Sequence, residues 1–257
     1  MIYKRIIFAL LFKENSFYLS RNFSLQKVGD LNWLKNNFSF NETCNSIDEL
    51  VCLNIDKDKS FKSKVKFIKM VNELRKTIFI PLTLGGGITN KEEAKLYFDN
   101  GADKISICTH LENLNLIKSI SEEYGSQSIS LMLDYKKNNE DKTLIFSNSG
   151  TKPIKSVREF FSNKKILNLV GEVILNSIEN DGVGMGLDLK IMKNLKEINN
   201  PILLMGGAGK PEHFNIVLKH SRINGIVTAN LFNFLGNGLN KTREILIKEK
   251  IKIVNFN

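Results

Sequence analysis

The stretch "FIPLTLGGGI" at residues 79–88 decides the fold, because its pattern returns about 120 residues later as "NNPILLMGGAG" at 199–209. In both places a short apolar run ends in a cluster of glycines, and a segment with helical periodicity follows. A second pair of stretches, "GADKISICT" at 101–109 and "RINGIVTAN" at 222–230, has nearly the same offset. A repeat of this length is a duplicated half of a domain, because solenoid repeats are much shorter.

Short apolar runs alternate with helical segments along the whole chain. The predicted strands are Arg5–Phe12, Glu49–Ile55, Ile80–Leu84, Lys104–Cys108, Ser128–Leu133, Glu172–Asn176, Ile202–Met205 and Gly225–Ala229. The predicted helices are Phe61–Lys76, Lys91–Asn100, Leu111–Tyr124, Leu187–Ile198 and Pro211–His220. Strands that alternate with helices indicate parallel βαβ units, and eight strands are the number in a TIM barrel.

We therefore predict an α/β protein, a single (β/α)8 TIM barrel built of two similar half-barrels. No linker interrupts the chain, so residues 1–257 form one domain in this prediction. A doubly wound open sheet is the alternative. Thr143–Phe146 is expected to form a small hairpin above the fifth strand.

The composition is that of a soluble globular protein, with 42% hydrophobic and 25% charged residues. No apolar run approaches the length of about 18 residues that a membrane span needs, so no membrane association is expected. The run "KRIIFALLFK" at 4–13 begins like a signal peptide. However, Lys13-Glu14-Asn15 follows where a small-residue cleavage site would stand, which favours a buried strand.

The cysteines and histidines predict a cytoplasmic protein without a metal or cofactor. The three cysteines form no CxxC pair, which favours reduced thiols in the cytoplasm. The three histidines lack metal-ligand spacing. The net charge of +10 fits an anionic small molecule, a nucleic acid or an acidic partner. Because the lysines are dispersed and no aromatic-basic motif occurs, we expect no nucleic-acid binding and interpret most lysines as solvated.

The two glycine clusters are candidate phosphate sites. Each follows a strand and precedes a helix, where glycine lets backbone N–H groups approach an anion. The ends of the fourth and eighth strands would complete these sites, and the residues after the sixth strand would assist the second one. The candidate phosphate-binding residues are Gly85, Gly86, Thr109, Asp181, Gly182, Gly206, Gly207, Ala229 and Asn230. Two related sites across one mouth predict a phosphorylated small-molecule ligand, and their pairing would suit a bisphosphate.

Asp134 is the candidate catalytic residue at the top of the barrel. It ends the fifth apolar strand, where partial desolvation raises the pKa of a carboxyl group and suits proton transfer. The alternative is that Asp134 is a solvated carboxylate that pairs with Lys136 or Lys137. Alignment of "IFALLFK" with "ISLMLDYK" puts Leu11, or its neighbour Phe12, where Asp134 stands in the other half-barrel. A site with two carboxylates would need an acid there, and none is present.

The motifs of the chain together resemble HisF, the cyclase subunit of imidazole glycerol phosphate synthase. The resemblance covers essentially the whole chain and rests on "KRII", "DELV", "PLTLGGGI", "GADKISI", "EEYGSQSISLMLD", "GEVILNSIENDG" and "GGAGKPEHF". It implies a (β/α)8 barrel paired with a HisH-like glutaminase as a heterodimer. In this family, ammonia from the glutaminase crosses the barrel from the bottom face to a top-face site, where two aspartates act as acid and base.

Position by position, the resemblance is uneven at the top face. It assigns the strand-five aspartate to Asp134, and it implies that the phosphate-binding glycines, Thr109 and Asp181 are kept. The strand-one aspartate falls at Leu11, which cannot carry a proton. The other departures at family positions are Leu19 for the loop-one lysine, Asn54 for an aspartate, Cys108 for an asparagine and Met205 for a serine.

At the bottom face, the resemblance implies an ammonia gate. Four strands begin with charged residues of alternating sign, here called the charged ring: Arg5, Glu49, Lys104 and Glu172. All four match the family's gate. Opposite charges can pair there, which makes their burial tolerable. The alternative is a ring of salt bridges that caps the barrel and passes no ammonia. Exposed ion pairs, however, contribute only about 0–1 kcal/mol to stability.

We therefore expect a divergent HisF-like subunit that binds a HisH-like glutaminase and channels ammonia to a separate amidation reaction. A third protein would amidate the acceptor, and the resemblance associates some such paralogues with nucleotide-linked sugars of surface polysaccharides. The enzyme alternative is the cyclase subunit of imidazole glycerol phosphate synthase in histidine biosynthesis, a lyase. A free-standing phosphosugar isomerase is the third hypothesis and predicts no glutaminase partner.

Overall fold

The computed structural model describes residues 3–37, 45–195, 198–229 and 237–254. Its strands are β1 (Arg5–Lys13), β2 (Ser16–Arg21), β3 (Ser24–Gly29), β4 (Glu49–Asn54), β5 (Leu82–Gly85), β6 (Lys104–Ile107), β7 (Ile129–Lys137), β8 (Thr143–Ser147), β9 (Lys152–Ser156), β10 (Glu172–Ser177), β11 (Ile202–Met205) and β12 (Ile223–Thr228). Its α-helices are α1 (Leu31–Asn37), α2 (Phe61–Arg75), α3 (Lys91–Asp99), α4 (Leu114–Tyr124), α5 (Val157–Phe160), α6 (Lys164–Leu167), α7 (Pro211–Leu218) and α8 (Gly238–Lys248).

Eight of these strands close a parallel barrel. They are hydrogen-bonded in the order β1–β4–β5–β6–β7–β10–β11–β12, and β12 pairs with β1 to complete the circle. The apolar runs of the sequence form strands that are buried on both faces, which is typical of parallel sheets covered by helices. The predicted (β/α)8 barrel is therefore confirmed, and the open sheet is excluded.

Two antiparallel hairpins extend the barrel at its top face. β8 pairs with the end of β7, and β9 pairs with β8, so the expected hairpin after the fifth barrel strand is present and larger than predicted. β2 pairs with the end of β1, and β3 pairs with β2. The sequence analysis did not predict this second hairpin, hereafter the loop-one hairpin (residues 16–29).

One predicted helix is wrong in type. In the described residues of the segment predicted as a helix over Leu187–Ile198, the structure has a 3-10 helix at Leu189–Asn194, and Leu195 is already extended. The loop before it contains Gly182, Gly184 and Gly186, all with positive φ. Gly186 N–H donates to the carbonyl of Gly207 over 2.8 Å, so this loop is tied to the second glycine cluster.

Alternation of side chains along the barrel strands separates two apolar layers. The outer layer packs the strands against the helices and includes Phe67, Tyr97 and Phe214, all fully buried. The inner layer fills the barrel itself, and its buried members are Ile7, Ala9, Leu11, Val51, Leu53, Met132, Ile174, Leu203, Met205 and Val227. The barrel interior is therefore a packed core between a bottom face and a top face.

Candidate functional site

The four charged residues at the amino ends of the strands meet at the bottom of the barrel. Arg5 Nη1 donates to Glu49 Oε2 over 2.9 Å, and Arg5 Nη2 donates to Glu172 Oε2 over 2.6 Å. Lys104 Nζ donates to Glu49 Oε2 over 2.8 Å and to Glu172 Oε1 over 3.0 Å. Each cation therefore contacts both anions, and the charged ring is closed.

Burial differs between the two signs of charge in this ring. The side chains of Glu49 and Glu172 are 4% and 5% exposed, whereas those of Arg5 and Lys104 are 22% and 19% exposed. Burial works to raise the pKa of Glu172, but Arg5 and Lys104 outweigh it and hold that pKa below its usual value. Thr83 lies inside the barrel and donates its hydroxyl to Glu49 Oε1 over 2.5 Å. Glu172 is therefore held ionised, and hydrogen bonds hold both carboxylates in fixed positions.

The surface around the charged ring is apolar and concave. Arg5, Lys104 and Glu172 belong to a depression of about 620 Å³ at the bottom face. Phe79 on its rim is 94% exposed, and Tyr3 is 50% exposed. Large exposed aromatic side chains around a depression are typical of protein–protein interaction sites.

Above the ring, the barrel interior has an apolar side and a polar side. The apolar side consists of the inner-layer residues on β11, β12, β1 and β4, and Met132 and Ile174 continue the apolar layer onto β7 and β10. On the adjacent strands β6, β7 and β10, interior positions carry Ser106, Ser130 and Asn176, which we call the polar wall. All three are buried, and Ser106 Oγ, Ser130 Oγ and Asn176 Oδ1 have no hydrogen-bond partner among the described residues. Buried polar atoms are normally satisfied by protein or by ordered water, so these atoms can accept a small polar guest.

Asp134 lies at the top of this polar wall and is 6% exposed. Its Oδ1 accepts a hydrogen bond from Asn176 Nδ2 over 2.8 Å, and its Oδ2 accepts one from the Cys108 thiol over 3.2 Å. Burial raises the pKa of Asp134 to about 6, although both hydrogen bonds work to lower it. Burial also raises the pKa of Cys108, and the negative charge of Asp134 adds to this effect. Asp134 can therefore exchange a proton near neutral pH, while Cys108 stays a thiol.

Leu11 lies in the inner apolar layer of the same barrel mouth and is 7% exposed. Leu53 and Met205 belong to that layer as well. Asp134 and Asn176 therefore have no carboxylate counterpart at the strand-one position, as the sequence predicted. The mouth is polar on one side and apolar on the other.

The first glycine cluster lies beside the end of β4. Gly86 has a φ of +105°, and a side chain there would overlap the backbone carbonyl of Asn54, so only glycine fits. Gly87 also has a positive φ and lies under the side chain of Lys59. Thr109, at the end of β6, is exposed on the same side of the mouth.

The second glycine cluster opens into a cavity of about 280 Å³. The expected residues that line it are Asp181, Gly182, Gly206, Gly207 and Ala229. Asn230 lies outside the described residues. Most of this lining is backbone and small side chains, which is compatible with an anion held by N–H groups, and the phosphate roles themselves stay predictions.

Asp181 has a contact that the sequence did not reveal. Its Oδ2 accepts the hydroxyl of Ser20 over 2.5 Å and the backbone N–H of Phe23 over 3.1 Å. Its backbone carbonyl accepts the N–H of Asn22 over 2.9 Å. The loop-one hairpin is therefore tied to the loop after β10 and bridges that side of the mouth. Burial raises the pKa of Asp181, partly offset by these hydrogen bonds.

Neither a metal-binding cluster nor a membrane-spanning helix occurs among the described residues. In the part of the chain that the structure describes, no three His, Cys, Asp and Glu side chains are grouped to hold a metal ion. Within the same residues, every helix is too short or too polar to cross a bilayer.

Comparison with known proteins gives a consistent result over nearly the whole chain. The family described as "Histidine biosynthesis protein" matches residues 39–237. A Parasynechococcus marenigrum protein provisionally named imidazole glycerol phosphate synthase subunit hisF2 is 38% identical over 243 residues, which cover 94% of this chain and 89% of that relative. A provisionally named hisF2 protein of Pseudomonas aeruginosa is 31% identical and covers 96% of both chains. The imidazole glycerol phosphate synthase subunit HisF of Pelodictyon phaeoclathratiforme is 34% identical over 80% of this chain and 82% of its own.

Proposed function

Since the chain belongs to the HisF-like group of the histidine biosynthesis protein family, we propose that it is a synthase subunit that receives ammonia from a HisH-like glutaminase and passes it through its barrel. The ammonia then serves a separate amidation reaction. One observation carries this proposal: the closed charged ring lies at the bottom of a barrel whose top has Leu11 in place of the second acid.

The bottom face supports a docked glutaminase. Phe79 and Tyr3 expose large aromatic surface beside Arg5 and Lys104, and aromatic residues are enriched at the centres of protein–protein interfaces. A glutaminase seated there would release ammonia at the charged ring. Because Arg5 and Lys104 are partly exposed, either cation can swing toward the partner while the other stays paired with both carboxylates. That movement would open the ring.

The interior supports passage of a small neutral molecule. The inner apolar layer offers ammonium ion no counter-charge, so the neutral form is favoured over the ion. Ser106 and Ser130 have hydroxyl groups without partners in the described residues, and they lie on neighbouring strands between the ring and Asp134. Ammonia can both donate and accept hydrogen bonds, so it can be passed along this side.

The top face argues against efficient ring closure by the chain itself. A general acid or base typically contributes about 10²–10⁴-fold to a rate, and Leu11 can supply neither. Asp134 is held by an amide and a thiol, and neither group replaces a second carboxylate at neutral pH. We therefore assign the final amidation to a third protein, and a sugar linked to a nucleotide, as used for surface polysaccharides, is the acceptor class that we propose.

The mouth also has an anion site in this proposal. The two glycine clusters would hold the phosphate group or groups of a ligand, with Thr109 at the first and Gly182 at the second. The Cys108 thiol forms no disulfide, which fits a reducing compartment, and we place the assembly in the cytoplasm.

The test is a coupled assay with the co-expressed glutaminase. Glu172→Ala and Lys104→Ala are expected to separate glutamine hydrolysis from amidation, so glutamate is formed without stoichiometric product. Glu249→Ala, which breaks the exposed pair with Lys219, is the matched control and should leave the coupling unchanged. Unchanged coupling in both ring variants, or failure of a HisH-like protein to co-purify, would reject the proposal.

The cyclase alternative is favoured by one observation, the pKa of about 6 at Asp134. It predicts that the wild-type chain with its glutaminase forms imidazole glycerol phosphate from the histidine-pathway substrate. Our proposal predicts no such activity, with Leu11→Asp restoring part of it. Full activity of the wild-type chain, or complementation of a strain that lacks HisF, would establish the alternative.

A further inference from the structure

Lys59 lies across the first glycine cluster. It belongs to the loop between β4 and α2, and its side chain passes over Gly87. A Cβ atom placed on Gly87 would be 2.8 Å from Lys59 Cδ and 3.6 Å from Lys59 Nζ. The ammonium group is therefore within reach of whatever binds on this loop.

The charge of Lys59 is not compensated by a described residue. The Lys59 side chain is exposed, its Nζ forms neither an ion pair nor a hydrogen bond within the described ranges, and partial burial lowers its pKa. Asp56 attracts it from a distance, but the carboxylate of Asp56 accepts hydrogen bonds from Ser63 Oγ and from the N–H of Asp58. The exposed ammonium group is therefore available to pair with an anion that binds on the glycine loop.

Two backbone N–H groups beside Lys59 have no acceptor among the described residues. In the described part of the chain, no group accepts a hydrogen bond from the N–H of Gly87 or of Ile88. The start of the following helix is already satisfied, because Asn90 accepts the N–H of Glu93, and Glu93 accepts that of Thr89. The free donors therefore belong to the glycine loop, next to the ammonium group, and not to the helix terminus.

We propose that Lys59 is the charged ligand of an oxyanion, of the phosphate monoester type, that binds on the N–H groups of Gly87 and Ile88. This inference rests on the anion site proposed above for the mouth and not on the passage of ammonia. Neither the resemblance nor the glycine pattern assigned a role to this residue.

The second glycine cluster differs from the first. Asp181 is the one ionisable residue in the described lining of its cavity, and that carboxylate holds the loop-one hairpin. A dianion gains a charge-assisted hydrogen bond at the first cluster, which the described residues of the second do not offer. The ligand's phosphate therefore binds at Lys59 first, and a single phosphate is sufficient for recognition.

Titration of the full-length chain with inorganic phosphate at constant ionic strength tests this site. Calorimetry is expected to detect binding to the wild type, and the amide signals of Gly87 and Ile88 should shift in ¹⁵N NMR spectra. Lys59→Met should weaken phosphate binding about tenfold or more, because a charged partner is lost. Lys59→Arg should retain most of the affinity. Lys57→Met removes an exposed lysine of the same loop and should change the affinity by less than about twofold.

The possible outcomes distinguish the role of Lys59 from the existence of the anion site. Equal binding by the wild type and Lys59→Met would refute the role of Lys59 and leave the anion site standing. Absence of wild-type binding at tens of millimolar phosphate would refute both, without bearing on ammonia passage. Shifts confined to Gly207–Gly209 would place the anion at the second cluster and overturn the inference. If Lys59→Met does not fold, Lys59→Arg and the wild-type spectra decide.

Discussion

Removal of a cation from the charged ring should destabilise the protein more than removal of an anion. Arg5→Met leaves Glu49 and Glu172 facing each other with Lys104 as their one remaining cation. Glu172→Gln leaves Arg5 and Lys104 with Glu49, and the new amide oxygen can still accept a hydrogen bond. The two substitutions keep side-chain volume nearly constant, so they differ mainly in the charge that is left behind.

The expected magnitudes follow from the burial of the ring. Breaking a buried ion pair costs about 3–5 kcal/mol, because an uncompensated charge remains in a desolvated place. The carboxylates left by Arg5→Met are 4% and 5% exposed, so we expect a loss of about 3 kcal/mol. The cations left by Glu172→Gln are 22% and 19% exposed and can reach water, so we expect about 1 kcal/mol.

Urea unfolding monitored by circular dichroism measures both losses. The effect of Arg5→Met should be largest near pH 7 and should shrink as the pH falls below about 4. The reason is that the pKa of Glu172 is lowered in the folded protein, so its ion pairs add stability at every pH above the ordinary pKa of glutamate. This contribution disappears when the carboxylate is protonated. Lys219→Met is the control, because its 2.8 Å pair with Glu249 is about half exposed and should contribute little to stability.

An equal or smaller loss for Arg5→Met than for Glu172→Gln would contradict the burial argument. So would a loss for Arg5→Met that stays constant as the pH falls from 7 to well below 4. Either result would mean that the two carboxylates are hydrated in solution, and the ring would then present no barrier at the bottom of the barrel.

Three further predictions concern the interior and the mouth. Asp134→Asn should flatten the pH dependence of stability. The raised pKa of Asp134 makes the wild type lose about 2–3 kcal/mol of unfolding free energy as the pH rises from about 4 to 6. A urea series in which the stabilities of the two proteins change in parallel with pH would contradict this. Asp181→Ala should loosen the loop-one hairpin, because Ser20 and Phe23 lose their hydrogen-bond acceptor. We expect faster amide hydrogen exchange in the hairpin and an unchanged free energy of global unfolding. Unchanged exchange rates in the hairpin would refute the role of Asp181 in holding it. Ser130→Ala should raise the free energy of unfolding by about 1 kcal/mol, because a buried hydroxyl without a described partner is removed, and a loss of stability would indicate that ordered water satisfies it.

Local sequence signals were sufficient for the barrel and for the positions of its site residues. Arg5, Glu49 and Glu172 were predicted as the first residues of strands, and each begins its strand as predicted. A charged residue directly before an apolar run is visible without a structure, and the parallel arrangement sends all such residues to one face. The same reasoning put Asp134 at the top.

Signals that depend on contacts between distant segments were missed. The loop-one hairpin is held by Asp181, more than 150 residues away from Ser20, and nothing near either residue indicates the partner. The segment over Leu187–Ile198 has helical periodicity, but its described residues form a short 3-10 helix after a glycine loop that is hydrogen-bonded to Gly207.

The sequence by itself determined the kind of fold and the residue types that face the inside of the barrel. Strand periodicity is a local property, and an apolar run with alternating contacts can be recognised from a few neighbouring residues. The tertiary structure alone decided which charges meet, how deeply each is buried and which polar atoms stay without a partner. These properties depend on desolvation and on distances between strands, because the same glutamate is a solvated charge on a surface and a fixed anion when two cations enclose it.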